Sequence, residues 1–245
     1  MILAATAILF VSAAGEARAF DHSHSAFTSV LKQHVKGGTF DYKALKYDPK
    51  GIESYLGSLA AVKETEFNGW SEKQQIAFLA NLYNAATLKL VIDHYPVTSI
   101  KKIGGTFSSP WKQKVVNLFG SKTTLDHIEH GLLRVNYKEP RVHFAVNCAS
   151  VGCPNLRAEA FQANRLDAQL DEQARIFLAD KSRNRVEGDT LYLSPIFDWF
   201  AGDFTGNGTV AEFVAPYFSG ADRKAIAAGG LKVKYTDYNW SLNKP

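Results

Sequence analysis

Ser71-Glu-Lys-Gln-Gln-Ile-Ala-Phe-Leu-Ala-Asn-Leu-Tyr-Asn-Ala-Ala-Thr-Leu-Lys-Leu-Val-Ile-Asp93 is the longest helical pattern in the chain, and the rest must be arranged around it. Ser71 and Gln74 have the spacing of a capping box, and Pro96 stops the run. Apolar residues occupy nearly every face, so the pattern predicts a buried central helix. Two amides in such a helix, Asn81 and Asn84, must find hydrogen-bond partners or face a cavity.

Shorter elements flank it. Ala26, Phe27, Val30, Leu31 and Val35 recur at helical spacing before Gly37-Gly38, and Ile52, Leu56, Leu59 and Val62 repeat the pattern after Pro49. Lys114 to Leu125 reads as a hairpin turning at Gly120, and Asp126 can cap a short helix from Ile128 to Leu133. Arg141-Val-His-Phe-Ala-Val-Asn147 reads as a buried strand. A helix over 163–180, a hairpin over 185–193 turning near Gly188, helices over 210–218 and 222–228, and a closing strand over 231–238 complete the pattern. Without repeats, heptads or linkers, the reading is one α+β domain, a central buried helix packed on a small, mostly antiparallel sheet.

The composition, 46% hydrophobic and 21% charged, is that of a folded globular protein. The net charge of +4 arises from 28 basic and 24 acidic residues without the clustered stripe that binds phosphate backbones, so nucleic acid is not an expected partner. Ile2 to Ala14 is almost wholly apolar, and Ala17-Arg18-Ala19 fits a signal-peptidase site. This predicts a signal over 1–19 and a periplasmic or secreted domain over 20–245, with no stable membrane insertion after signal removal. A retained anchor is the alternative, although the apolar run is short against the roughly 20 residues that span a bilayer. No later segment reads as a span.

The chemistry-bearing stretch is His143-Phe-Ala-Val-Asn-Cys-Ala-Ser-Val-Gly-Cys-Pro154. Cys148 follows the expected strand and precedes small residues whose backbone N–H groups, from Ala149 to Gly152, could receive an oxyanion. A thiol becomes a nucleophile beside a base or a positive field. His127-Ile-Glu-His130 offers one, with His130 as base and Glu129 orienting or charging the site. His143 is a poor partner on a regular strand, where five residues span roughly 17 Å and reverse the facing; it is kept with Asn81, Tyr83, Asn84 and Ser150 as a substrate-binding candidate. Two competing readings stay open. In an oxidising compartment Cys148 and Cys153 would commonly pair, and a metal site from Cys148, Cys153, His143 and His130 is less favoured because the C-x₄-C spacing is loose for zinc. No cofactor is expected.

Three blocks resemble the bacterial and plant family known as domain of unknown function 547: Ala77 to Leu88, Leu125 to Arg134, and Pro140 to Arg157. The likeness continues weakly through Phe197-Asp-Trp-Phe200 to Asp237-Tyr-Asn-Trp-Ser-Leu242. His127 stands where that family more often has an acid, and Leu79 where it usually has tryptophan. Plant-like members often have serine at the position of Cys153, which implies that Cys148 is the residue that matters and that a papain- or transglutaminase-like cysteine enzyme is a fitting fold analogy. The expectation is an exported cysteine-dependent hydrolase or acyltransferase acting on an amide or thioester in a peptide-like or small-molecule substrate, with Cys148 as nucleophile. The alternative is a non-catalytic periplasmic binding protein with a Cys148–Cys153 disulfide.

Overall fold

A computed structural model of the chain describes residues 19–105, 108–206 and 208–245. The expected signal lies outside them, apart from Ala19. The architecture is mixed helix and small sheet around the helix Glu72–His94, whose N-terminus carries the capping box: the Ser71 N–H donates to Gln74 Oε1 at 2.9 Å. Sixteen of its residues are buried, Ile76 to Leu88 without a break. By length and hydropathy this helix could cross a bilayer, contrary to the expectation that no segment after the leader would. With 89% of its most apolar window buried, it is a core helix.

The helix packs on other helices, not on a sheet. Lys50–Ala60 and Tyr42–Tyr47 lie against it, as does the segment His127–Leu133. The strands are the reason. A helix of 23 residues is about 34 Å long, whereas the sheets are strands of two to four residues: Val35–Lys36 with Thr39–Phe40, Val116–Leu118 with Ser121–Thr123, and Arg185–Glu187, Thr190–Leu193 and Lys232–Tyr235 together. The closing strand pairs parallel to Thr190–Leu193, the other pairs being antiparallel.

Two apolar clusters result. The larger gathers around Glu72–His94; the smaller contains Phe144, Phe177, Phe197 and Phe204 with the three-stranded sheet. Between them the expected strand over 141–147 is instead a 3₁₀ turn, Pro140–Phe144, followed by irregular chain. Pro140 lacks the N–H a ladder needs, and the backbone after it is bonded elsewhere: Asn84 Nδ2 donates to the Ala145 carbonyl at 2.9 Å, and the Asn147 N–H donates to Asn84 Oδ1 at 2.8 Å. A side chain of the central helix therefore does for this segment what a neighbouring strand would have done.

Candidate functional site

A cavity of about 220 Å³ opens between the two clusters. Its wall brings together Tyr83, Glu129, His130, His143 and Cys148 from three separate sequence blocks. Tyr83 comes from the regular central helix, and the others reach it by local irregularities. His127–Leu133 is a π-helix, a form that recurs at functional sites. Gly131 leaves room there for the His127 ring, which a Cβ would meet at 2.5 Å. The 3₁₀ turn removes the strand geometry that had separated His143 from Cys148, so both line one cavity.

Cys148 sits at a sharp bend. Ala149 adopts φ 60°, a left-handed conformation that disfavours a side chain. Asn147 holds the bend, accepting from the Ala149 N–H at 2.8 Å and donating from Nδ2 to the Pro154 carbonyl at 2.8 Å. The loop docks on the C-terminal segment, where the Val151 and Gly152 N–H groups donate to the Ser241 and Asn239 carbonyls, each at 2.8 Å. These bonds correct the expected oxyanion hole from Ala149 to Gly152, since three of its four N–H groups are already spent on the protein's own acceptors.

Cys148 and Cys153 are joined in a disulfide. This corrects the expectation of a free thiol: in this state the Cys148 sulfur is no nucleophile, and neither sulfur is a thiolate ligand. The Tyr238 hydroxyl lies 3.2 Å from Cys148 Sγ, 3.1 Å from Cys153 Sγ and 2.9 Å from Ser150 Oγ. Burial pushes the Tyr238 ionisation up to about 12, so the group stays a proton donor at neutral pH. Ser150 is itself buried, with its hydroxyl between Tyr238 and Cys148, and it braces the loop instead of meeting a substrate.

The two histidines have different ring states. Arg134 Nη1 lies 3.0 Å from His130 Nδ1, and because guanidinium only donates, that nitrogen must accept. That contact occupies His130 Nδ1. His143 Nε2 lies 2.7 Å from Asp203 Oδ2, and the same carboxylate takes Arg134 Nε at 2.5 Å and Nη2 at 3.1 Å. Although burial alone would raise it, hydrogen bonds from His143 and Arg134 hold the Asp203 carboxyl well below the usual carboxylate range. With Nε2–H directed at Asp203, His143 Nδ1 is left as acceptor; it is buried and has no hydrogen-bond partner among the described residues. The Phe200 ring stacks on the imidazole, with centroids 4.2 Å apart.

Asn81 and Asn84 do not reach the cavity. Asn81 is fully buried, donating to the Phe161 carbonyl at 2.8 Å and accepting from the Phe161 N–H at 2.9 Å. Asn84 is spent as described on residues 145 and 147. Both amides clamp loops to the helix, a correction to their expected substrate-binding role. Tyr83 does line the cavity. Burial first, then the neighbouring Glu129 charge and a hydrogen bond to it, raises its ionisation far above the ordinary range. Glu129 thus faces Tyr83, and the group oriented on His130 is Arg134.

Residues missed in the sequence include Asp203, Tyr238 and the tryptophans Trp111, Trp199 and Trp240, all except Asp203 on the cavity wall. The aromatic segments were visible as a weak tail of the resemblance, but Asp203 carried no local signal. Among the described residues no cluster of three or more His, Cys, Asp or Glu side chains is placed to hold a metal ion.

Residues 67–178 match the family model described as protein of unknown function, DUF547. That match supports the resemblance to the DUF547 family. The matched DUF547 segment carries Tyr83, Glu129, His130, His143 and both cysteines, whereas Asp203, Trp199, Tyr238 and Trp240 lie beyond it. No curated protein and no solved structure matches the chain.

Proposed function

We propose that this protein is an exported cysteine-dependent hydrolase or acyltransferase, acting on an amide or thioester once the Cys148–Cys153 bond is reduced. The observation that carries the reading is the His143–Asp203 pair: one ring nitrogen is fixed on the Asp203 carboxylate, the buried other one has no partner, and His143 and Cys148 line the same cavity. That is the arrangement of a base oriented by a third group. It moves the base from His130, whose Nδ1 is taken by Arg134, to His143. The papain-like analogy is consistent with this order of roles and remains part of the proposal.

A dithiol reductant supplies two electrons and two protons to open the disulfide, and is itself oxidised to a disulfide. The Cys148 thiol passes its proton to His143 Nδ1, and the thiolate attacks the carbonyl carbon. A carbon–sulfur bond forms as the carbonyl π pair moves to oxygen. The Tyr238 hydroxyl and the Cys148 N–H, which now donates to Cys153 Sγ at 3.0 Å, are the donors nearest that oxyanion. Collapse breaks the bond to the leaving nitrogen or sulfur, which takes the proton from His143; water or an acceptor amine then releases the acyl group. The disulfide supports export, since such bonds persist in oxidising compartments.

The same disulfide favours a second reading, a non-catalytic binding protein whose bond is a structural staple. One experiment separates the two. Protein reduced with dithiothreitol is titrated with iodoacetamide and assayed on thioester and aminoacyl-anilide substrates. The catalytic reading expects Cys148 to label faster than Cys153 at neutral pH, Cys148→Ala to abolish turnover, and Cys153→Ala to turn over without reductant. Labelling of Cys148 at the rate of an unstructured cysteine, with no turnover in any form, leaves the binding protein.

A further inference from the structure

We infer that the cavity beside Cys148 selects substrates bearing a protonated amine or alkylammonium group, held against tryptophan rings and two unpaired carboxylates. This deepens the proposed hydrolase reading and rests on it for the claim that the bound group belongs to a substrate. Three observations carry it.

The first is the wall. Trp111, Trp199, Tyr238 and Trp240 form one contiguous aromatic surface: Tyr238 and Trp240 centroids are 4.5 Å apart, Trp199 and Tyr238 4.8 Å, and Trp240 lies 5.8 Å from both Trp111 and Trp199. Ring faces carry the negative end of the aromatic quadrupole and attract cations, tryptophan most strongly.

The second is the charge of the lining. Among the described residues neither Asp126 nor Glu129 has an ion-pair partner within 4.0 Å, and both are only partly buried on the cavity wall. Of the positive groups nearby, Lys101 sits on the Trp240 ring, and two others are engaged within the protein. Arg134 is held by Asp203, and His130 Nδ1 is taken up by the contact with Arg134. His143 also lines this wall, with its Nε2 held by Asp203.

The third is an internal precedent. The Lys101 ammonium stands 3.7 Å from the Trp240 ring centroid, so a ring of this aromatic surface already holds one alkylammonium. A neutral polyol would match the rings but leave both carboxylates desolvated without a counter-charge, which costs binding energy; an anionic group would be repelled outright.

The test uses the oxidised full-length protein, so it does not depend on thiol reactivity. Benzylammonium, benzyl alcohol and benzoate share a ring and differ in charge, and their binding can be followed by tryptophan fluorescence and calorimetry. Benzylammonium is expected to bind at least about tenfold more tightly than benzyl alcohol, weakening with salt, and benzoate to bind least. Asp126→Asn with Glu129→Gln should reduce that preference to under about threefold, and Trp199→Leu, at a partly exposed position that the fold can spare, should weaken benzylammonium by about fivefold or more. Selective binding in protein whose reduced Cys148 proves inert would retire the hydrolase and keep the ammonium site. Equal affinity for the amine and the alcohol in the wild type, or tighter binding of benzoate, overturns the inference even if Cys148 turns out to be catalytic.

Discussion

His143 Nε2 lies 2.7 Å from Asp203 Oδ2, across 60 residues of sequence, and Arg134 donates to both oxygens of the same carboxylate. The pair fixes which nitrogen of a buried imidazole carries hydrogen. It also explains how an orphaned ring nitrogen is tolerated: the ion pair behind it holds the ring in place. Any change that lets the imidazole rotate should be felt at Cys148 before it is felt in global stability.

Asp203→Asn tests that link. The amide keeps size and polarity but removes the charge and can favour the wrong tautomer. Turnover by reduced protein is expected to fall by about 10²–10⁴, and iodoacetamide labelling of Cys148 at pH 7 should slow in parallel. A loss under about twofold in a folded variant would remove Asp203 from the mechanism.

Asn84→Ala and Asn81→Ala should part company. Each deletes two hydrogen bonds to backbone, leaving a buried donor and acceptor unpaired, which costs about 2–4 kcal/mol in urea unfolding. Only Asn84 holds the segment leading into Cys148, so only its variant is expected to change the labelling rate of the reduced thiol at temperatures where both remain folded.

Gly152→Ala should disturb the aromatic wall from behind. A Cβ at 152 would meet the Tyr238 ring at 2.8 Å, and that ring is packed between Trp199 and Trp240. Overpacking of this kind costs about 1–3 kcal/mol. The expected signature is a shift in tryptophan emission with loss of the hydroxyl contact to both sulfurs, read as faster reduction of the disulfide by dithiothreitol; unchanged emission and reduction rate would contradict it.

His24 makes stability depend on pH far from the cavity. Burial lowers its folded pKa to about 4, with Nδ1 2.7 Å from the Tyr55 hydroxyl. The folded value lies below the unfolded one near 6.5, so the unfolded chain takes the proton first. The contribution is complete above pH 6.5 and drains away as pH falls toward 4, amounting to roughly 3 kcal/mol. Urea midpoints of the wild type should drop over that window, and His24→Phe should flatten the curve there. A wild-type curve level between pH 6.5 and 4 would refute the linkage.

Much of the scaffold was legible before the structure. The Ser71 capping box, the buried helix, the turns at Gly120 and Gly188 and the helix near 166–179 all depend on signals within a few residues of each other. Arg141 to Asn147 was misread for an instructive reason. Its alternating apolar residues look like a strand, but Pro140 and the Asn84 clamp supply a different bonding scheme, and the second of these comes from 61 residues away.

By itself the sequence determined the family resemblance, the central helix and the block that carries Cys148, because periodicity, capping and motif spacing are properties of neighbouring residues. Tertiary structure alone decided that His143 and not His130 has a ring nitrogen to spare, that the asparagines clamp backbone, and that Tyr238 covers both sulfurs. Apart from the Arg134–His130 contact within one helical turn, those outcomes are hydrogen-bond assignments between groups 60 to 90 residues apart. Each donor or acceptor can be spent only once, and which partner claims it is known only when the chain has closed on itself.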